Sequence, residues 1–274
     1  MNLSELLKQA SEALAQSGSQ HPRLEAELII SHFSGIDRLE LNLHADDLVS
    51  EETQIKIEDA VRRRSSREPI QYILGETEFY GFPIKVNPAV LITRPETELL
   101  VEKILTENSD IKSILEIGTG SGCIAIALKK LLPIARVTAT DISAQALKVA
   151  QQNAEINKVE IDFIQSDLFQ NIAGRFDLIV SNPPYIPPKE YENLPDEIRK
   201  FEPQNALLAK EDGVYFYCRI LEQAKEYLNE NGKIYFEIGH DQAERIREIA
   251  LQNSFEQIEV FRDLNDFERM MRIG

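Results

Sequence analysis

Ser113-Ile114-Leu115-Glu116-Ile117-Gly118-Thr119-Gly120-Ser121-Gly122-Cys123-Ile124-Ala125-Ile126-Ala127-Leu128 decides the fold. A short apolar run stops in three alternate glycines, and a second apolar run follows that suits a helix. Strand, glycine turn and helix together open an α/β sheet. The glycines let the backbone turn sharply and let a ligand approach without Cβ interference. Their spacing is G-x-G-x-G, unlike the G-x-G-x-x-G of dinucleotide binders.

Outward from this unit, strands and helices alternate. Strands are expected at 113–117, 136–140, 161–165, 176–181 and 233–238, and helices at 123–131, 143–157, 212–228 and 241–251. Residues 257–261 and 269–273 suit an antiparallel pair at the end. The expectation is a doubly wound, Rossmann-like α/β sheet whose ligands lie at the carboxyl ends of its strands. Residues 1–66 differ: Leu3, Leu6, Leu7, Ala10 and Leu14 recur at helical spacing, Pro22 opens a second helix and Gly35 closes it, and a third spans about 51–64. Between them, residues 67–91 alternate apolar residues with Gly and Pro. They predict a linking β-hairpin that includes Ile70–Leu74. The expected division is therefore 1–66 helical, 67–91 hairpin linker and 92–274 catalytic domain.

Polar residues end successive strands. Asp141 closes the second, where an acid accepts hydrogen bonds from ribose hydroxyls. Asp167 and Leu168 follow the third, an acid and an apolar neighbour suited to an adenine amino group and ring. Caps and turns explain each acid separately, but a row of them on one rim suits a nucleoside. Glu116 and Asp141 disfavour a pyrophosphate nearby and suit a cofactor bearing a sulfonium and an ammonium charge.

The fourth strand ends in Ser181-Asn182-Pro183-Pro184-Tyr185. Prolines have no N–H, so their positions offer carbonyls without donors. Asn182 adds a side-chain carbonyl and Tyr185 a flat ring with a polar tip. Taken alone the stretch is also an ordinary turn. At the end of this strand it specifies a planar –NH2 group whose two hydrogens both find acceptors.

The 274 residues carry 46 acids against 30 bases, a net charge of −16, which disfavours a nucleic-acid backbone as partner. The one dense basic cluster, Arg62-Arg63-Arg64 with Arg67, is expected to be a solvated helix face. Cys123 and Cys218 lack CxxC spacing and the four histidines are scattered, so neither a disulfide framework nor a metal site is expected. No apolar run has membrane-spanning length and the N-terminus lacks a leader pattern. A cytoplasmic monomer without metal is the expectation.

The combination resembles the class I S-adenosylmethionine-dependent methyltransferases with an Asn-Pro-Pro-Tyr loop. Arg67-Glu68-Pro69-Ile70-Gln71-Tyr72 with Gly75, Arg94-Pro95-Glu96-Thr97-Glu98, Glu116–Gly122, Asn182–Ile186 and Glu202-Pro203-Gln204-Asn205-Ala206-Leu207 narrow the resemblance. They recur together, in this order, in the peptide-chain release factor glutamine N5-methyltransferases, the PrmC/HemK family. The resemblance implies S-adenosyl-L-methionine as cofactor and a release-factor glutamine as methyl acceptor, with the helical domain recognising the release factor. The implied catalytic and substrate-holding residues are Asn182, Pro183, Pro184 and Tyr185. The cofactor set is Glu116, Gly118, Thr119, Gly120, Ser121, Gly122, Asp141, Asp167, Leu168 and Asn182. Asp263–Arg269 departs from the family's Asp-x-x-Gly-x-x-Arg pattern by lacking the glycine. A ribosomal-protein glutamine methyltransferase is the near alternative. An adenine-N6 nucleic-acid methyltransferase and a non-enzymatic cofactor-binding module are the distant ones, the former opposed by the charge and the latter by the intact loop.

Overall fold

The structure, a computed structural model, describes residues 1–108, 110–210 and 212–274. It divides into two compact units, Met1–Gly75 with Asp196–Phe201, and Glu76–Pro195 with Glu202–Gly274.

The first unit is helical: α1 (Leu3–Gln16), α2 (Pro22–Ser34), α3 (Glu51–Ser65) and α4 (Ile70–Leu74). Asn2 and Glu5 form a reciprocal capping box at the start of α1, which satisfies two otherwise orphaned N–H groups. Pro22 starts α2 at a position needing no N–H, and Gly35 ends it at φ 73°. The apolar stripe of α1 packs with Ala26, Ile29, Ile30, Ile57 and Ile73 into one core. The expected strand over Ile70–Leu74 is corrected to a helix. Its continuous apolar run has no period that separates strand from helix. Pro69 before it and Gly75 after it, at φ 74°, favour one helical turn and a left-handed stop.

Arg64 corrects the solvated-face expectation for the basic cluster. The residue is only 8% exposed. It donates to both Glu25 oxygens at 3.0 and 2.9 Å, to Glu68 O at 3.0 Å and to the Glu197 carboxylate. Arg63 pairs with Glu68, and Arg62, which is exposed, with Asp59.

The second unit opens with the hairpin β1 (Glu76–Phe79) and β2 (Phe82–Lys85), then α5 (Pro95–Glu107). Next come β3 (Ser113–Ile117), α6 (Cys123–Leu131), β4 (Arg136–Asp141), α7 (Ala144–Asn157), β5 (Asp162–Gln165) and β6 (Phe176–Ser181). After the short α8 (Pro188–Tyr191), and α9 (Asp196–Phe201) of the first unit, follow α10 (Tyr215–Tyr227), β7 (Leu228–Glu237), α11 (Ala243–Gln252), β8 (Ile258–Arg262) and β9 (Glu268–Ile273). The seven-stranded sheet runs β5-β4-β3-β6-β7-β9-β8. Its first five strands are parallel, and β9 is antiparallel to both β7 and β8. Strand order reverses between β3 and β6, which opens a crevice at their carboxyl ends.

The expected helix at 212–228 begins at Tyr215, and the expected strand at 233–238 begins at Leu228. Asn229-Glu230-Asn231-Gly232 looks like a turn, yet extended pairing starts at Leu228 opposite Phe176, with a register shift before Leu178 meets Lys233. The hairpin is clamped to α7. Asn153 accepts from Lys85 N at 2.7 Å and donates to Lys85 O and Ser121 O, and Asn157 donates to Pro83 O. In the closing loop Asp266, standing where the family pattern has glycine, adopts φ 65°. Asp263 Oδ1 holds that turn by accepting from Asn265 N and Phe267 N. Aspartate tolerates the left-handed region better than most residues, so the loop keeps its shape without glycine.

Arg64→Ala is expected to destabilise the protein by about 3 kcal/mol in urea unfolding, because it removes a buried guanidinium from the partly buried Glu25 and Glu197 carboxylates. Wild-type stability in that variant contradicts the assignment.

Candidate active site

A cavity lies at the carboxyl ends of β3, β4, β5 and β6. Residues 116–121, Cys123, Ile124, 141–143 and 166–168 form one side, and 181–184 the floor. Residues 89–94, Thr97, Asn205, Ala206 and Phe216 complete it. Of the residues expected from the sequence, Glu116, Gly118, Thr119, Gly120, Ser121, Asp141, Asp167, Leu168, Asn182, Pro183 and Pro184 meet here. Gly122 and Tyr185 do not line it. Gly122 sits behind the turn, where a Cβ would come within 3.1 Å of Ala150 Cβ, so glycine there sets the approach to α7.

The glycine turn is held from below. Gly118 N and Thr119 N both donate to Thr140 O at 2.8 Å, joining the turn to β4. Glu116 Oε2 accepts from Thr119 Oγ1 at 2.6 Å and from Ala125 N at 3.0 Å. One carboxyl thus binds strand, turn and the first turn of α6. Burial pushes Glu116 up to about 8, against the pull of those two donors, and the charge of Asp141 adds to the rise. Asp141 Oδ2 accepts from Gly120 N at 2.9 Å and Oδ1 from Ser143 N at 2.8 Å. Each oxygen keeps lone-pair capacity for one more donor, which suits a pair of vicinal hydroxyls. Burial raises the Asp141 carboxyl despite these bonds.

Asp167 is engaged by Arg219 at 3.1 Å, so its charge is already partnered. Leu168 follows at φ 50°, a strained value for a γ-branched side chain, and Ser166 Oγ donates to Leu168 O at 2.8 Å to hold it. The strain keeps an apolar side chain on the cavity wall. Ser121 Oγ is buried with no hydrogen-bond partner among the described residues, although Ser121 lines the cavity.

At the floor, Ser181 Oγ donates to Ile117 O at 2.7 Å, joining β6 to β3 just before the loop. Asn182 Nδ2 lies 3.4 Å from Thr97 Oγ1 of α5. Gln242 then staples the loop: its Nε2 donates to Tyr185 O at 2.8 Å while its Oε1 accepts from Gly239 N at 3.1 Å. Gly213 makes room, since a Cβ there would come within 2.2 Å of Gln242 Nε2 and 2.5 Å of Tyr185 O. The Tyr185 ring is partly buried against the sheet core, and burial raises its hydroxyl pKa well above the ordinary value. On the opposite wall Glu202, 6% exposed, accepts from Ile92 N at 3.2 Å and pairs with Arg94 at 2.5 Å. The Arg94–Glu98 and Glu202–Leu207 motifs therefore build one wall together.

Sequence reasoning missed Thr97, Gln242, Phe216 and Glu237. Glu237 carried a signal, an acid inside an otherwise apolar strand. Gln242 carried none, because its partners are backbone atoms remote in sequence.

The cavity fits a nucleoside cofactor bearing positive charge. It offers an open glycine turn, an acid with free lone pairs, an apolar wall and an unpartnered hydroxyl. With the parallel sheet and its strand reversal, this defines a class I S-adenosylmethionine-dependent methyltransferase. The PrmC N-terminal domain matches residues 5–75 and the methyltransferase small domain residues 95–198. The chain is 39% identical to the release factor glutamine methyltransferase of Haemophilus influenzae, covering 98% of each chain. It is 41% identical to that of Chlorobaculum tepidum, over 97% of this chain and 94% of the relative. A methyltransferase structure from Pyrococcus furiosus shares the fold at TM-score 0.56 and 20% identity, covering 82% of this chain and 98% of its own. The chain belongs to the release factor glutamine methyltransferase family.

Glu116 holds its proton to about 8 when folded, against 4.5 as its ordinary value. Its contribution to stability is therefore full below the ordinary value and is lost as pH rises through the folded one. Glu116→Gln can accept the same two hydrogens, so its thermal midpoint is expected to fall less than wild type between about pH 5 and pH 8. Parallel midpoint curves contradict this.

Proposed function

We propose that this enzyme methylates the side-chain amide nitrogen (N5) of the glutamine in the Gly-Gly-Gln motif of peptide-chain release factors, with S-adenosyl-L-methionine as donor. The observation that carries the reading is the placement of Asn182 and the two prolines on the floor of a cofactor-type cavity. Near-full-length likeness to enzymes named for release factors gives the substrate.

Asp141 would hold the ribose hydroxyls, Leu168 would lie along the adenine with Asp167 beside it, and Glu116 with residues 118–122 would shape the end for the charged methionine part. The bound cofactor supplies an electrophilic methyl group on a sulfonium. A primary amide is a poor nucleophile because its nitrogen lone pair is delocalised into the carbonyl. Asn182 Oδ1 and the Pro183 carbonyl accept its two hydrogens, which raises electron density on nitrogen and fixes its direction. Alignment of this kind is worth several kcal/mol. Pro184 keeps the loop free of competing donors. Tyr185 stands off the cavity lining, and its partly buried ring fixes the loop beneath the amide, with the hydroxyl unused. One amide proton leaves to water as the nitrogen is methylated.

The helical residues 1–66 recognise the release factor, and the enzyme works as a cytoplasmic monomer without direct nucleic-acid contact. Among the described residues, no helix is long and apolar enough to cross a membrane.

The test is transfer of labelled methyl to purified release factor, to that factor with its motif glutamine replaced, to a ribosomal protein and to an adenine-rich duplex. Label is expected on the intact release factor alone, and label on the replaced factor or only on another acceptor overturns the reading. Asn182→Ala is expected to lower turnover on the order of 100-fold with the circular dichroism unchanged. Tyr185→Phe should retain turnover close to wild type, and a crippled variant would show that the hydroxyl takes part.

A further inference from the structure

An asparagine amide has two faces, and only its carbonyl can receive an amide N–H. Turned over, Asn182 would offer an NH2 group to the glutamine nitrogen and repel its hydrogens. Something must therefore choose the orientation.

The surroundings of the Asn182 NH2 group make that choice. Glu237 stands at the carboxyl end of β7, 3% exposed, and its Oε2 accepts from Thr97 Oγ1 at 2.6 Å. A hydroxyl has one proton. Thr97 uses it on Glu237, so toward Asn182 Nδ2 at 3.4 Å it presents only lone pairs. The Asn182 amide also lies close enough to the Glu237 carboxyl to draw its pKa down. Two acceptors on this side hold the NH2 group and leave the carbonyl facing away from them.

We propose that Glu237 is a positioning residue which, through Thr97 and directly, locks Asn182 with its carbonyl toward the substrate amide. This rests on the acceptor role of Asn182 proposed above. Stability alone does not account for the carboxyl. The same strand carries Ile234 and Phe236, with Ile238 just beyond it, all fully buried, and an apolar side chain at 237 would avoid the cost of burying an acid. That cost is visible in the carboxyl, which burial raises to about 7 against the donors Thr97 and Asn182. The charged groups around it are Glu96 of α5 and Arg269 of β9, with the Tyr185 and Tyr217 hydroxyls nearby. The arrangement also accounts for asparagine at 182. Aspartate would set an acceptor against two acceptors, whereas asparagine supplies the donors they need.

The test is a four-protein cycle of wild type, Glu237→Gln, Asn182→Asp and the double variant, with Asn182→Ala as reference, assayed on release factor. In Glu237→Gln the new side chain can turn its own NH2 toward Asn182, so the lock is lost. The expected kcat loss is on the order of 10- to 100-fold, with the KM for S-adenosylmethionine little changed. Asn182→Asp should be as poor. The double variant restores a donor opposite an acceptor and is expected to be at least about tenfold more active than Asn182→Asp. A carboxyl that merely supports packing gives additive losses and no recovery. Glu237→Gln with wild-type kcat, or a double variant no better than Asn182→Asp, overturns the assignment while the crippled Asn182→Ala keeps the acceptor role intact. Wild-type turnover in Asn182→Ala removes the acceptor role, and the proposal falls with it.

Discussion

Glu116 is the point where the catalytic unit is tied together. It is the last but one residue of β3, and one of its carboxyl oxygens receives both the Thr119 hydroxyl and the Ala125 amide. Strand, glycine turn and helix α6 are thereby held at one atom. Above that bond, Gly118 and Thr119 donate to Thr140, and Gly120 donates to Asp141, so β4 is locked to the same turn. Asp141 is thereby fixed on the cavity wall, without a further device. An acid buried here costs free energy, as its raised pKa shows. The Ala125 amide and the Thr119 hydroxyl offset part of that cost.

The opposite half of the site follows the same logic with different atoms. The Asn-Pro-Pro-Tyr loop has few donors of its own, so its shape is imposed from outside. Ser181 fastens its start to β3, and Gln242 fastens its end between Tyr185 and Gly239. Thr97 reaches Asn182 from α5 and is itself fastened to Glu237 of β7. Glu202 braces the facing wall through Ile92 and Arg94. Rigid support of this kind is what an amide nucleophile needs, because the gain from alignment vanishes if the acceptors move.

Much of this was legible in the chain. The strands 113–117 and 176–181 and the helix 123–131 fall where apolar runs and glycines place them. The acid of β4 and the prolines after β6 are visible because each ends an apolar run. Where the pattern was ambiguous, expectation failed. Ile70–Leu74 is apolar throughout, and only the flanking Pro69 and Gly75 resolve it as a helix. Arg64 looked like one more surface base, since its partners Glu25 and Glu197 lie far from it in sequence.

By itself, then, the sequence determined the order of elements, the glycine turn, the row of acids on one rim and the acceptor-rich loop. All of these depend on residues within a few positions of one another, where periodicity and backbone chemistry act directly. Tertiary structure alone decided which way those groups face. Asp167 proved to be shared with Arg219, Gly122 and Tyr185 stand off the cavity lining, and Asn182 is held by residues from α5 and β7. Orientation is set by hydrogen bonds between segments remote in the chain, and those partners meet only when the sheet closes.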